Sequence, residues 1–480
     1  MPGNEEQRPA NRRLAQWRVK WLIEHSTSHR LLWCIDSFVL RNPPIRQAPK
    51  RYTQYKTTLK SMRTIHFSVF FFLTLVSNAQ RNSYLTDLTA LKSIVEKTAS
   101  FKAQIKGNKL NSYNNLYNHL VSDTINNSNT YKYFYNLSQL LFPIKDNHLG
   151  FYQLPNYSIF KTKQSIDSFV TTKEFLDYPT CKLNIDSLKD KLATKPINSI
   201  EGIYYYDKFY TVGLFKKTDK EYIGVILDSD VSLWTKGQIA IHLYECAPNL
   251  YKGIYGHPKF KYFMLQPIEK YQNQSLVNSY FYGSYSQSVY SKRIQYVDFI
   301  NLSKSSPRFS LNNIADNVQY LIIQSFQANN TTAKTSQIFY DSIKTCLKAP
   351  NLILDLRNNE GGSAGEMRKY QKLLKKYVKN GHLYVLVNNG TLSQAEIFTI
   401  ELKRLKNVSI VGQQTKGMLA YGSNYGRRQR LPSGMFEIYT TDMNNGSALL
   451  QYEDYGINPD IILQQDKDWI EQVVEITSKK

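Results

Sequence analysis

Cysteine is scarce in this sequence: Cys34, Cys181, Cys246 and Cys346 are the only four in 480 residues. No two lie close enough for a metal knuckle or a redox pair, and loss of the N-terminus would leave three, an odd number that argues against a disulfide framework. Acidic residues are also in deficit, 38 Asp and Glu against 61 Lys and Arg, for a formal charge of +23. That excess raises the question of nucleic acid, but it is spread out. Residues 1–80 hold 13 basic and 4 acidic side chains, and the remaining 400 hold 48 and 34. The bases are scattered among Tyr and Asn, with neither zinc-finger spacing nor an RNA-recognition motif, so a solvated basic surface and no nucleic-acid partner are expected. No repeat of fixed period is visible. What is plentiful is apolar and aromatic material, 42% and 13% of residues. This excludes general disorder and suits two or three domains.

The N-terminal region carries an export pattern in an unusual place. Met62-Arg63-Thr64-Ile65-His66 precedes the apolar run Phe67 to Val76, and Ser77-Asn78-Ala79-Gln80 follows. A basic start, a short apolar core and small residues before a break make a signal peptide over 62–79, with mature protein from Gln80. The run is too short to span a bilayer core of about 30 Å as a stable helix. No Cys follows the cleavage point, so a lipoprotein anchor is not indicated. Residues 1–61 then read as an upstream extension outside the product, with translation starting at Met62. The alternative is a basic cytoplasmic extension ahead of an uncleaved membrane anchor. Either way the chain is expected to be exported, periplasmic or extracellular.

Three textures follow. Residues 80–165 form an N-terminal helical region, where Leu85, Leu88, Leu91, Ile94 and Val95 recur at three- and four-residue steps. Residues 166–310 form a β-rich middle domain. Gly202–Tyr206, Tyr222–Leu227 and Gln238–Leu243 are strand-like runs split by turn residues, as in an antiparallel barrel or sandwich. Residues 311–480 alternate: strands at 318–323, 351–356, 383–387 and 408–411, helices from about 336 to 347, from 364 to 378 and from 394. The fold class is therefore α+β and multidomain, with a C-terminal α/β domain.

Three segments of that last part carry chemistry. In Leu354-Asp355-Leu356-Arg357-Asn358-Asn359-Glu360-Gly361-Gly362 a strand runs into paired glycines, which can turn successive N–H groups toward an anion. The plainer reading is an ordinary tight turn. In Thr391-Leu392-Ser393-Gln394-Ala395-Glu396-Ile397, Ser393 follows a strand and opens a helix. Ser-x-x-Glu is a capping box, yet a helix N-terminus is also where a nucleophile's oxyanion is stabilised. Tyr452-Glu453-Asp454-Tyr455-Gly456-Ile457-Asn458-Pro459-Asp460 places a carboxylate beside a turn, and alone it could be only a charged loop.

In this order, with Val411-Gly412-Gln413-Gln414-Thr415 between the last two, these segments resemble the tail-specific peptidase superfamily, which spans C-terminal-processing and tricorn-like branches. The match covers about residues 318–465. The resemblance implies a crotonase-like (ClpP/crotonase) serine peptidase domain over 311–480, peptide or protein substrates, and no cofactor or metal. The C-terminal-processing branch has a lysine three residues after the threonine, where this chain has Met418; Lys416 is offset by two and is expected to point elsewhere. The tricorn-like branch uses Ser, His and Glu, with the histidine in an upstream Asp-x-His element, here Asp146-Asn147-His148. The resemblance thus implies Ser393 as nucleophile, His148 as general base and Glu453 orienting it. Gly362 and Gln394 would hold the oxyanion, with Gly361 as the alternative. No peptide-binding PDZ motif is evident. The rival reading is a catalytically inactive peptide-binding protein on the same scaffold, in which Ser393 is merely a cap.

Overall fold

The computed structural model describes residues 83–123, 130–294, 297–423 and 426–479. The expected extension, signal peptide and Gln80 lie outside them. Residues 83–95 are helical, and Tyr84, Leu88, Leu91 and Val95 are fully buried along one face, as the three- and four-residue spacing requires. Short helices Ala99–Gln104, Asn108–Ser122 and Thr130–Gln139 follow. The last packs its aromatics onto strands: Phe134 stacks on Phe151 with centroids 4.9 Å apart, and Tyr133 meets Phe436 edge-on at 5.1 Å. Among the described residues no helix is long and apolar enough to cross a membrane.

An eleven-stranded antiparallel sheet dominates the middle of the chain. The strands Gly202–Tyr206, Tyr210–Lys216, Glu221–Ser229, Ile239–Ala247, Leu250–Gly256 and Phe263–Gln272 pair in succession. Ser275–Leu276 and Tyr290–Ser291 then close them into a ring, because Ser275–Leu276 pairs with both Phe263–Gln272 and Tyr290–Ser291. The alternating pattern that marked these runs as strands thus resolves as a small barrel, whose interior side chains fill it. Tyr204, Tyr206, Tyr255 and Tyr290 are buried there, and ring contacts such as Tyr255–Tyr290 at 6.0 Å join opposite parts of the ring. Three strands extend this sheet from the outside of Phe263–Gln272: Gly150–Gln153, then Phe436–Thr440, then Arg427–Arg430.

The second sheet has six strands in the order Phe309–Ala315, Val318–Ile323, Asn351–Asp355, His382–Val387, Val408–Gly412 and Ile461–Ile462. All pairs after the first are parallel. Parallel strands covered on both faces read as continuous apolar runs, which is why 351–356 and 383–387 lack alternation. Leu352, Leu354, Val385 and Val387 face the helices Ala364–Tyr377 and Gln394–Lys403, through Tyr370 and Phe398. Ile353, Tyr384 and Leu386 face the other way, onto Trp469 and Val473 of the helix Trp469–Ser478. The helix expected from about 336 begins earlier, at Asn330, because the Asn329 side chain caps it by accepting from Thr332 N.

The two sheets meet at the chemistry-bearing segments. Gly150–Gln153, directly after His148, belongs to the barrel sheet, whereas Ser393 stands at the end of a loop leaving the parallel sheet.

Candidate active site

The turn after Asn351–Asp355 is built from its own polar residues. Arg357 is buried and grips Asp355 through Nε (3.0 Å to Oδ2) and Nη2 (2.7 Å), while Tyr320 donates to the same carboxylate at 2.6 Å. Arg357 Nη1 also reaches the Phe299 carbonyl at 2.9 Å. The bidentate pair fixes where the strand ends. Asn359 then donates to the Ile323 carbonyl and accepts from Gly361 N, both at 2.8 Å. A Cβ on Gly361 would lie 2.9 Å from Ser393 Cβ, so only glycine lets the turn approach the serine this closely.

Ser393 has φ +57 and ψ −123, a conformation that L residues rarely adopt. The neighbours hold it there. Ser393 N donates to the Met418 carbonyl at 3.0 Å and to Glu396 Oε2 at 3.1 Å. Glu396 is fully buried, and its oxygens also take Thr415 Oγ1 (2.6 Å), Gly417 N (2.7 Å) and Met418 N (2.9 Å). The capping-box glutamate therefore ties the serine's helix to the 415–418 loop rather than serving the helix alone.

Ser393 Oγ lies 3.2 Å from His148 Nε2, joining residues 245 apart in sequence. Nδ1 of His148 is buried without a hydrogen-bond partner among the described residues. Glu453 comes near but does not take that nitrogen. Its Oε1 accepts from Asn147 N at 2.8 Å, and its Oε2 accepts from Leu419 N and Ala420 N, each at 2.8 Å. Both oxygens of Glu453 are thus engaged by backbone amides, and any orienting effect on the imidazole passes through main chain. Asn147 makes the connection, its side chain adding bonds to the Gly417 carbonyl (2.7 Å) and Asp454 Oδ1 (3.0 Å).

One expectation at the glycines is corrected. Gly361 N is spent on Asn359 Oδ1 and is unavailable as an oxyanion donor. The amides of Gly362 and Gln394 have no acceptor among the described residues. Gly362 owes its position to Phe326, whose carbonyl would lie 2.2 Å from any Cβ there.

Burial, followed by the charge of Lys416, holds the His148 pKa down at about 4. The charge of Lys416 thus acts on the histidine electrostatically. Burial pushes Glu453 up to about 8 against the opposing pull of its three amide donors. At neutral pH the imidazole is uncharged, the form that can accept a proton. Among the described residues no cluster of three or more His, Cys, Asp or Glu forms a metal-binding set, and Cys181, Cys246 and Cys346 are free thiols.

The sequence of this region matches the model of peptidase family S41 over residues 317–376 and 364–463. The match spans the parallel sheet and the loops that bear Ser393 and Glu453. The chain is a serine-type peptidase, and peptides or proteins are its substrates. No curated protein matches its sequence. Among solved structures, it is similar to mature CPAF at 11% identity, covering 83% of this chain and 97% of that one with a TM-score of 0.38. It is also similar to a photosystem II D1 C-terminal processing protease, at 16% identity over 82% and 97% of the two chains and a TM-score of 0.33. A lipoprotein from Streptococcus agalactiae is similar at 19% identity over 37% and 71%, with a TM-score of 0.26. The likeness to peptidase family S41 rests on the sequence match over residues 317–463.

Sequence reasoning gave Glu396 a capping role only and gave Asn147 none, although both lie within quoted motifs. Lys270 lay in no motif. Its only signal is the charged pair Glu269-Lys270 within the strand Phe263–Gln272.

Proposed function

We propose that the chain is an exported endopeptidase that works through an acyl-enzyme on Ser393. The observation that carries this reading is the 3.2 Å approach of His148 Nε2 to Ser393 Oγ at a strained serine. Strain of this kind, held in place by surrounding hydrogen bonds, belongs to sites where a side chain must be presented. His148, uncharged at neutral pH, takes the hydroxyl proton as Oγ attacks the peptide carbonyl. Gly362 N and Gln394 N receive the developing oxyanion. His148 then delivers its proton to the departing amine, and water, activated by the same imidazole, releases the acyl group and restores Ser393. Glu453 acts through backbone, fixing Asn147 and the 419–420 segment so that His148 stays aimed at the serine.

In this reading the six-stranded sheet and its helices form the crotonase-like catalytic domain. The helices before residue 140 form an N-terminal helical part, and residues 62–79 are the export signal. The test is a fluorophosphonate probe with mass spectrometry on wild-type and Ser393→Ala protein. A single adduct on Ser393, absent from the variant, is expected. A protein that neither reacts nor cleaves a peptide library would instead be a peptide-binding scaffold.

A further inference from the structure

We propose that Lys270 is a positioning residue for peptide hydrolysis, holding the 414–418 loop and the Tyr455 turn in the register that Ser393 and Glu453 require. The inference rests on the catalytic reading of Ser393 given above. Lys270 Nζ donates to the Thr415 carbonyl at 2.8 Å, the Tyr455 carbonyl at 2.9 Å and Gln414 Oε1 at 3.4 Å. An ammonium has three donors, and here each finds an uncharged oxygen. The side chain is only 3% exposed. Burying a charge on carbonyl oxygens costs desolvation that an apolar contact would avoid, so stability alone is a poor reason for a lysine here.

What the ammonium joins gives the reason. The Thr415 segment delivers Thr415 Oγ1, Gly417 N and Met418 N to Glu396, and the Met418 carbonyl to Ser393 N. The Tyr455 segment carries Glu453 and Asp454, and Asp454 N returns to the Gly417 carbonyl at 2.9 Å. Lys270 is thus bonded to both segments at once. It comes from the barrel strand Phe263–Gln272, which also pairs with Gly150–Gln153 directly after His148. The same hairpin braces the serine's approach loop, since Asn389 donates to Asn278 Oδ1 at 2.9 Å and Asn273 donates to Gln413 Oε1 at 2.8 Å.

The charged groups facing Lys270 are Glu396, Lys416, Asp454 and Glu269, and burial lowers its own pKa to about 8. Losing its proton removes one of three donors and loosens one of the joined segments, so activity should fall as pH rises through that value. For this group stability runs the other way. An unfolded lysine keeps its proton to about pH 10.4. Between the two values the unfolded chain binds more protons, and raising the pH favours the folded state.

The experiment follows kcat, KM, the rate of fluorophosphonate labelling and Tm in wild-type, Lys270→Met, Lys270→Arg and Ser393→Ala proteins across the pH range. For Lys270→Met we expect kcat and labelling to fall on the order of 10- to 100-fold, as when a reacting group shifts by about 1 Å, with KM nearly unchanged. Wild-type kcat should decline on the alkaline side without loss of Tm, and Lys270→Arg should recover turnover and lack that decline. Labelling of Lys270→Met at the wild-type rate, or the same alkaline decline in Lys270→Arg, would overturn the role. Should Lys270→Met not fold, the wild-type and Lys270→Arg profiles decide between these outcomes. Wild-type labelling no faster than that of Ser393→Ala would instead overturn the catalytic reading, and the role of Lys270 with it.

Discussion

Glu453 holds the residue beside His148 rather than His148 itself: its Oε1 accepts the Asn147 amide at 2.8 Å across 306 residues of sequence. Every oxygen of this buried carboxylate is committed to backbone, so its influence on the imidazole passes through main chain and is mechanical as well as electrostatic.

That arrangement makes Glu453→Gln a structural lesion. A glutamine has one acceptor oxygen, and its amide hydrogens would face amide donors. At least one of Asn147, Leu419 and Ala420 N would be left unsatisfied in a buried place, at about 1–3 kcal/mol per group. Above about pH 8, where Glu453 is ionised, we expect a lowered Tm together with a large loss of kcat. An inactive Glu453→Gln enzyme that melts like wild type would point instead to direct pairing with the imidazole.

The pH dependence follows from the His148 value of about 4, set by burial and then by Lys416. An ordinary histidine, with a pKa near 6.5, is mostly protonated at pH 5.5. Here we expect kcat/KM to persist through that region and to fall only as pH drops further. Because a nearby cation disfavours the imidazolium, Lys416→Met should move the acid limb upward, toward 6.5. Stability has the matching sign. The unfolded chain binds the proton first, so the contribution of the neutral buried ring is full above about 6.5 and is lost as pH falls toward 4. An acid limb near 6.5 in the wild type would show that His148 is more solvated than its surroundings imply.

The parallel strands were legible because Leu352–Leu354 and Leu383–Val387 are buried on both faces and so spell uninterrupted apolar runs. The barrel strands were legible from turn residues between alternating runs, but not their closure, which depends on two-residue strands too short for any period. At the site, Ser393 and His148 could be named because each sits in a recognisable local motif. Which glycine amide stays free depends on the Asn359 side chain turning back onto Gly361, and which group Glu453 touches depends on the loop path through 417–420. Both are long-range outcomes, and Lys270 belongs with them.

Glu396 offers a sharper test of the loop. It accepts four hydrogen bonds, from Ser393 N, Thr415 Oγ1, Gly417 N and Met418 N, with no exposed surface. Glu396→Gln should cost about 3–5 kcal/mol, in the range for breaking a buried charged network. It should also slow fluorophosphonate labelling, because Ser393 loses one of the bonds that hold its backbone. If Glu396 only capped its helix, the cost would stay within about 0.5–2 kcal/mol and labelling would be untouched, a result read directly from denaturant unfolding and adduct kinetics.

The serine itself separates strain from chemistry. At φ +57 and ψ −123 Ser393 occupies a region that costs an L residue about 1–3 kcal/mol. Ser393→Ala keeps that cost and loses only the 3.2 Å contact with His148, so its stability should stay within about 1 kcal/mol of wild type. Ser393→Gly relieves the strain, against about 0.4–1 kcal/mol for the added freedom of the unfolded chain. The glycine variant should therefore melt above both the wild type and the alanine variant. Both variants should lose several orders of magnitude in peptide turnover, since the members of such a set act as a unit. This is the signature of a residue kept in a poor conformation for what its hydroxyl does. A cap predicts a different pattern, with the alanine variant losing about 0.5–2 kcal/mol, the glycine variant only a few tenths, and both still cleaving peptide. Calorimetry and a peptide-cleavage assay on the three proteins tell the two apart, because the order of Tm between the glycine variant and wild type reverses and turnover is either lost or kept.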